Sequence, residues 1–244
     1  MANMPRSKVI HNEWTTDEID EILEHYKPVT IPVSISVKGN QKVLGFSEAE
    51  RILRKAKLIS LEPCWCRLKL KNCDGPIDVC ICVDTEAELA ISERDGWKAT
   101  FEEAMTALKK SHKAGLVHLA YEFEGHEMRS ICSCCACCCH TLAAITRFGY
   151  GDVVGRADVI AVHDPSKCNN CKLCVSKCHF DAWNMVGEKV HHYSLKCAGC
   201  GVCASFCPTG AIRMVKRKVH RTKEGKKSSR PKGDYSVKRY KSSR

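Results

Sequence analysis

Nineteen cysteines stand in this chain, and eight of them fall in two runs of one spacing. Cys168, Cys171, Cys174 and Cys178 read C-x2-C-x2-C-x3-C; Cys197, Cys200, Cys203 and Cys207 repeat it, and Pro208 follows. Three thiolates two residues apart can wrap one corner of a cube while the backbone turns around it. A distant fourth thiolate closes the cage. This is the ligand pattern for two 4Fe–4S clusters, in which the fourth cysteine of each run binds the other run's cluster. The spacing therefore predicts one set of Cys168, Cys171, Cys174 and Cys207, and a second of Cys197, Cys200, Cys203 and Cys178. Such clusters move single electrons. Ala198, Gly199 and Gly201 allow the tight turn of the second run. A pair of zinc sites is the competing reading, but zinc knuckles do not need two four-cysteine runs of this kind.

Residues 163–214 resemble the bacterial-type dicluster ferredoxin domain. CAGCGVCASFCPTGAI (197–212) matches closely and CNNCKLCVSKCHFDAW (168–183) more loosely, with His179 where the family usually has Pro and Trp183 where it has a small aliphatic. The resemblance implies a small β-α-β, β-α-β fold around two clusters and an electron-transfer role. It names neither donor nor acceptor.

Eleven further cysteines lie upstream. Residues 64–82 read C-x-C-x6-C-x6-C-x-C (Cys64, Cys66, Cys73, Cys80, Cys82), and 132–140 read CSCCACCCH (Cys132, Cys134, Cys135, Cys137, Cys138, Cys139), with His140 as a nitrogen ligand in reserve. The second run is too dense for one cubane. Adjacent residues of an extended segment point to opposite sides, so its thiols serve two centres or bridge metals within one. Three readings fit: one or two additional Fe–S clusters, zinc or another thiolate-bound metal, and redox-active disulfides or a metal-free surplus. Soft thiolates suit iron–sulfur, zinc and Cu(I) alike. Fe–S is favoured because the chain already needs cluster assembly. The first-choice ligands are Cys64, Cys66, Cys73 and Cys80 for one cluster, and the 132–139 run for another. EPCWCR (62–67), CDGPIDVC (73–80), AGLVH (114–118) and ICSCCACCC (131–139) resemble a cysteine-rich module that precedes ferredoxin domains in anaerobic archaeal and bacterial iron–sulfur proteins. That resemblance implies metal binding and no reaction.

Several elements must carry these ligands. A helix is expected over 16–27, with Thr15 and Glu18 as a capping box and Ile19, Ile22, Leu23 and Tyr26 on one face. A half-buried strand follows through Val29, Ile31, Val33, Ile35 and Val37, its Pro32 suggesting an edge, with a turn at Gly39-Asn40. Ser47 with Glu50, Thr85 with Glu88 and Thr100 with Glu103 read as caps of three more helices. Gly115 stops the last, and 116–123 reads as a strand; this order resembles part of a winged helix, though a plain packing unit explains it as well. A helix is also expected from His140 to Gly149, with the last thiols of the run at its N-terminus. Trp65 is expected to shield a cluster, His191 and His192 to sit in a solvated hairpin, and His163 and Asp164 to form a strand end and turn.

The fold class expected is α+β: a segment over 1–62, a mixed α/β cysteine-rich metal domain over 63–162, a dicluster domain over 163–214 and a disordered basic tail over 215–244. The formal net charge is +11, and the thirteen Lys or Arg against two acidic residues of 215–244 account for all of it. A secreted disulfide scaffold is excluded by the ligand-like runs and the polar N-terminus, and no stretch is long and apolar enough to span a bilayer. A reduced cytoplasm, in an anaerobe, is expected. No phosphate loop, dinucleotide fingerprint or nucleophile elbow is present. The leading expectation is an electron-transfer subunit, its tail holding redox subunits or an acidic electron-transfer partner. A reductase with a catalytic N-terminal cluster is second. A nucleic-acid-binding redox sensor using the tail is third, its binding salt dependent.

Overall fold

The computed structural model describes residues 10–25, 27–31, 47–122, 128–150 and 153–217. Its first unit is an antiparallel sheet with helices packed on both faces. The strands are β1 (Lys27–Ile31), β2 (Ile59–Pro63), β3 (Asp78–Val83), β4 (Trp97–Lys98), β5 (Val117–Glu122) and β6 (Met128–Cys134), in the order β1-β5-β6-β3-β2-β4. The helices are α1 (Thr16–His25), α2 (Ser47–Lys55), α3 (Trp65–Leu70), α4 (Thr85–Glu93), α5 (Phe101–Lys113) and α6 (His140–Thr146).

Strand periodicity sorts the side chains between two faces. Val79, Ile81 and Val83 of β3, Ala120 of β5 and Ile131 of β6 pack with Leu53 of α2 and with Ala104 and Leu108 of α5. The residues between them face the other way. Val117, Leu119 and Tyr121 of β5 and Cys134 of β6 share a second core with Leu142 of α6. Ile81 stands opposite Ile131, and Val117 opposite Cys134. This register puts Cys80 and Cys82 of β3 and Cys132 and Cys134 of β6 on the face away from α2 and α5.

The second unit comprises β7 (Val159–His163), α7 (Leu173–Lys177), β8 (Trp183–Val186), β9 (Lys189–His192), α8 (Val202–Ser205) and β10 (Ile212–Lys216). β7 pairs with β10 and β8 with β9, both antiparallel. The order along the chain is β-α-β, β-α-β, and a single 3-10 turn, Pro165–Lys167 or Ser194–Lys196, leads into each cysteine run. The two runs also repeat their backbone. Asn170 and Lys172 take φ of 54° and 62°, and the equivalent Gly199 and Gly201 take 84° and 78°. Left-handed backbone at both positions turns the chain around the same point twice.

Several expectations change. α1 ends at His25 because β1 begins at Lys27; the Thr15–Glu18 box closes as expected, at 2.8 and 3.3 Å. The Thr100–Glu103 box also closes. Thr85 is not a cap: Asp84 precedes α4 with φ 52°, and its carboxylate instead accepts the N–H groups of Lys57 and Leu58. Glu50 takes the Arg54 guanidinium at 2.7 Å. The division expected at 62/63 falls inside the sheet, at the end of β2, because β2 must pair with both β3 and β4. The second unit begins at Val159 rather than 163, since β7 pairs along its whole length with β10. Residues 215–217 are not part of a disordered tail: β10 runs to Lys216, and the Arg217 guanidinium donates to the carbonyls of Ala157 and Cys197. The rest of the tail, the strand and turn expected over 32–40, and Tyr26 lie outside the described residues. Among the described residues no helix is long and apolar enough to cross a membrane.

A Cβ on Gly199 would lie 2.3 Å from the carbonyl oxygen of Val159. Gly199→Ala should therefore lower the unfolding free energy by about 2–3 kcal/mol, the cost of forced backbone strain. Lys172→Gly, at an exposed position that already strains an L-residue, should leave stability unchanged or raise it by up to about 1 kcal/mol. Anaerobic denaturant unfolding of the two variants checks the contrast.

Candidate metal centres

In the second unit the two runs exchange their last cysteines. Cys168, Cys171 and Cys174 share a hollow with Cys207, lined also by His163, Val190 and Ile212. Cys197, Cys200 and Cys203 share another with Cys178, lined also by Phe180, Trp183 and Met214. With the open space at its mouth included, each hollow amounts to about 300 Å³. Backbone N–H groups point at the sulfurs: Ala182 donates to Cys178 at 3.3 Å and Asn170 to Cys168 at 3.4 Å. Such donors favour thiolate. Burial works against it, pushing the thiols of Cys174 and Cys200 up to about 12 and raising those of Cys178 and Cys203. Buried sulfurs round a hollow, with amides ready for their anions, are the donor set that a 4Fe–4S cluster fits.

The two hollows differ in exposure. Cys171 is exposed, and Cys168 and Cys207 are half-buried; Cys197 and Cys203 are buried. Trp183 is 3% exposed and covers the inner set, with His192 stacked on it at 4.4 Å and His163 edge-on at 5.5 Å. His192 is thus half-buried, and its imidazole is held down to about 4, chiefly by that burial; His191 stays exposed, as expected. Asp164 caps the turn before the first run by accepting from Ser166.

The first unit divides its eleven thiols differently from the expected sets. Six form an open ring: Cys66 neighbours Cys64, Cys64 neighbours Cys80, Cys80 neighbours Cys132, Cys132 neighbours Cys134, and Cys134 neighbours Cys139. Hydrogen bonds from their neighbours hold Cys64 down to about 3 and Cys132 well below the usual thiol range, while Cys66, Cys80 and Cys134 are pushed up. The ring lines an open cavity; with the open space at its mouth included it amounts to about 1660 Å³, several times either hollow of the second unit. Cys82, Tyr121, His140, Glu62, Glu86 and Arg94 complete its wall. His140 Nδ1 lies 3.3 Å from Cys66 Sγ. Trp65, 56% exposed, stands at the rim against Trp14 and covers the cavity only in part.

Cys73 does not join Cys64, Cys66 and Cys80. α3 carries the chain about 9 Å along its axis after Cys64, and Lys71 turns it in the left-handed region at φ 51°. Asn72 then ties the loop to the other run, donating from Nδ2 to Cys137 O at 2.7 Å. Cys73 so meets Cys135, Cys137 and Cys138, and the donor atoms of these four lie within 4.8 Å of one another. The 132–139 run is split between the two groups. All nineteen cysteines are free thiols.

Arg67 stands between the groups. It is 2% exposed, and its Nη1 donates to Ser133 O at 2.9 Å and to Cys135 Sγ at 3.7 Å, while Nε and Nη2 have no hydrogen-bond partner. Burial opposes its charge, but the neighbouring sulfurs of Cys64, Cys135 and Cys80 outweigh that and raise its pKa. A buried cation without a carboxylate calls for anions, and thiolates on a metal would supply them. Sequence reading missed Arg67, since a single Arg in a Lys-rich stretch carries no signal.

His179 joins the two units. It is 1% exposed. Its Nδ1 accepts the N–H of Ala136 at 2.9 Å, which leaves Nε2 protonated to donate to Gly115 O, also at 2.9 Å. Phe180, Ala198 and Val202 add apolar contact with Val117, Leu119 and Cys134. Ala136 lies between Cys135 and Cys137, so the residue after Cys178 is fixed to the other unit's cysteine loop.

The sequence profile of a 4Fe-4S binding domain matches residues 191–213. No curated protein matches the chain. The chain thus carries a ferredoxin-type 4Fe–4S binding domain with a site for at least one such cluster.

His179→Ala would remove the hydrogen-bond partner of Ala136 N–H and one partner of Gly115 C=O in a buried interface. It should cost about 2–4 kcal/mol, read as an earlier denaturant midpoint with the native visible absorbance unchanged. A midpoint equal to the parent's would remove the bridge.

Proposed function

We propose that this chain is an iron–sulfur electron-transfer protein, a ferredoxin-like subunit of a cytoplasmic redox complex in an anaerobe. Cys168, Cys171, Cys174 and Cys207 hold one 4Fe–4S cluster, and Cys178, Cys197, Cys200 and Cys203 hold a second. Cys64, Cys66, Cys80, Cys132, Cys134 and Cys139 hold a further Fe–S cluster in the first unit. When bound, such clusters take up and release single electrons.

The observation that carries this reading is the apolar core common to both units. Cys134 and Cys139 of the ring are part of it, and Cys178 and Cys200 of the inner set pack against it. Val117, Leu119, Phe180 and Val202 pack between the two thiol sets, and their burial keeps water from that space. The outer set, with Cys171 exposed, is the one that a donor or acceptor protein can reach. A basic tail suits an acidic partner there.

A second reading has an observation of its own. The ring's cavity is far roomier than either ferredoxin hollow and carries Glu62, Glu86 and Arg94 in its wall. Arg94 pairs with both carboxylates, at 2.9 and 2.7 Å, so charged groups are held ready beside the thiols. A reductase that admits a small substrate to this cavity would use that space. A substrate-dependent change in the reduced protein's spectrum would favour it over a carrier.

Iron and acid-labile sulfide per chain, in full-length protein purified without oxygen, test the main reading. About twelve irons or more are expected, at four per cubane plus the ring's share, with reversible one-electron reduction in a spectroelectrochemical titration. About eight irons would confine the clusters to the second unit and sink the N-terminal one.

A further inference from the structure

The four thiols of Cys73, Cys135, Cys137 and Cys138 are spaced unlike any other set in the chain. Cys73 Sγ lies 3.8 Å from Cys135 Sγ and 3.9 Å from Cys138 Sγ, and Cys137 Sγ lies 3.9 Å from Cys138 Sγ. A thiolate binds zinc at about 2.3 Å, so the edges of a tetrahedral ZnS4 centre are about 3.8 Å. Thiolates on a four-iron cube bind four different irons at four corners and must stand further apart. The chain supplies that comparison itself. Among the described residues, no set drawn from the eight ferredoxin cysteines or from the six-thiol ring brings three donor atoms within 4.8 Å of one another, and the Cys73 set brings four.

We propose that Cys73, Cys135, Cys137 and Cys138 hold one four-coordinate zinc ion, separate from every iron–sulfur cluster of the chain. This departs from the expectation that the whole 132–139 run serves clusters. The local backbone suits it. Cys138 N–H and Cys139 N–H both donate to Cys135 O, at 3.3 and 3.0 Å, a tight turn that brings three thiols of one loop to one point. Cys73 arrives from the other loop and closes the fourth position. Three of the four are buried and one is half-buried, and all four ligands are protein sulfurs, which is the closed form of a structural site. Four thiolates around a divalent ion leave two negative charges, and the Arg67 guanidinium beside Cys135 offsets one of them.

The surroundings say what the ion does. Asn72 donates to Cys137 O at 2.7 Å, and Trp14 Nε1 donates to Cys138 O at 2.9 Å. The ion therefore staples the loop after α3 to the loop before α6, with the N-terminal segment laid over both. Cys134 and Cys139 flank this turn and belong to the ring, so the ion sets where two of the ring's six thiols stand. The assignment holds whatever the ring itself binds.

Zinc, iron and acid-labile sulfide would be measured in full-length protein purified without oxygen, alongside zinc K-edge X-ray absorption. One zinc per chain with four sulfurs at about 2.3 Å is expected. Cys73→Ser, at the most accessible ligand, should lose that zinc and keep its iron and sulfide. Loss of iron together with sulfide in the variant would mean a cluster, and loss of one iron without sulfide a single iron ion; either overturns the proposal. So would zinc unchanged by the substitution. If Cys73→Ser does not fold, the absorption spectrum of the parent decides, because a zinc shell with nitrogen or oxygen, or no zinc at all, is equally fatal.

Discussion

A thiolate taken out of water needs a positive charge beside it, and this chain buries eleven of its nineteen cysteines. The constraint explains the local choices at every group of cysteines. In the second unit the sulfurs receive backbone N–H groups and face hollows that no side chain fills. In the first, Arg67 is buried between two thiol groups, and its Nε and Nη2 find no hydrogen-bond partner among the described residues. A metal replacing the thiol protons would relieve each arrangement, and its binding would then be linked to folding.

The sheet is the device that delivers the ring. Alternation along β3 and β6 sends Val79, Ile81, Val83 and Ile131 into the helical core and leaves Cys80, Cys82 and Cys132 on the opposite face. Loops deliver the rest, because a thiol set that wraps a centre needs turns that a strand cannot make. Cys64 and Cys66 stand at the start of α3, Cys139 immediately before α6, and the tight turn between β6 and α6 sorts the remaining thiols by direction.

The two units are bound together by more than adjacency. Where a Pro would follow Cys178 in the ferredoxin pattern, His179 uses both ring nitrogens to hold the other unit's backbone. Lys177 next to it is 7% exposed and lies over the Phe206 ring at 4.8 Å. These contacts make the inner face of the ferredoxin-type unit part of a core, while Cys171 on its other side stays exposed.

The grouping of the C-terminal thiols could be proposed from sequence because three cysteines of each group lie close together in the chain and the distant fourth stands at the same offset in a repeated run. Gly199 and Gly201 signalled the left-handed turn of the second run, whereas Asn170 and Lys172 hid the same turn in the first. The boxes at Thr15 and Thr100 were legible for the same local reason, and the failure at Thr85 came from Asp84, whose carboxylate is claimed by Lys57 and Leu58 from across the fold. The N-terminal cysteines could be counted but not sorted. Whether Cys73 belongs with Cys64 or with Cys135 depends on how far α3 carries the chain and on what Asn72 meets there. Strand register decides which thiols of the 132–139 run share a face with Cys80. Those are contacts between residues some sixty positions apart, and only the folded chain brings them together.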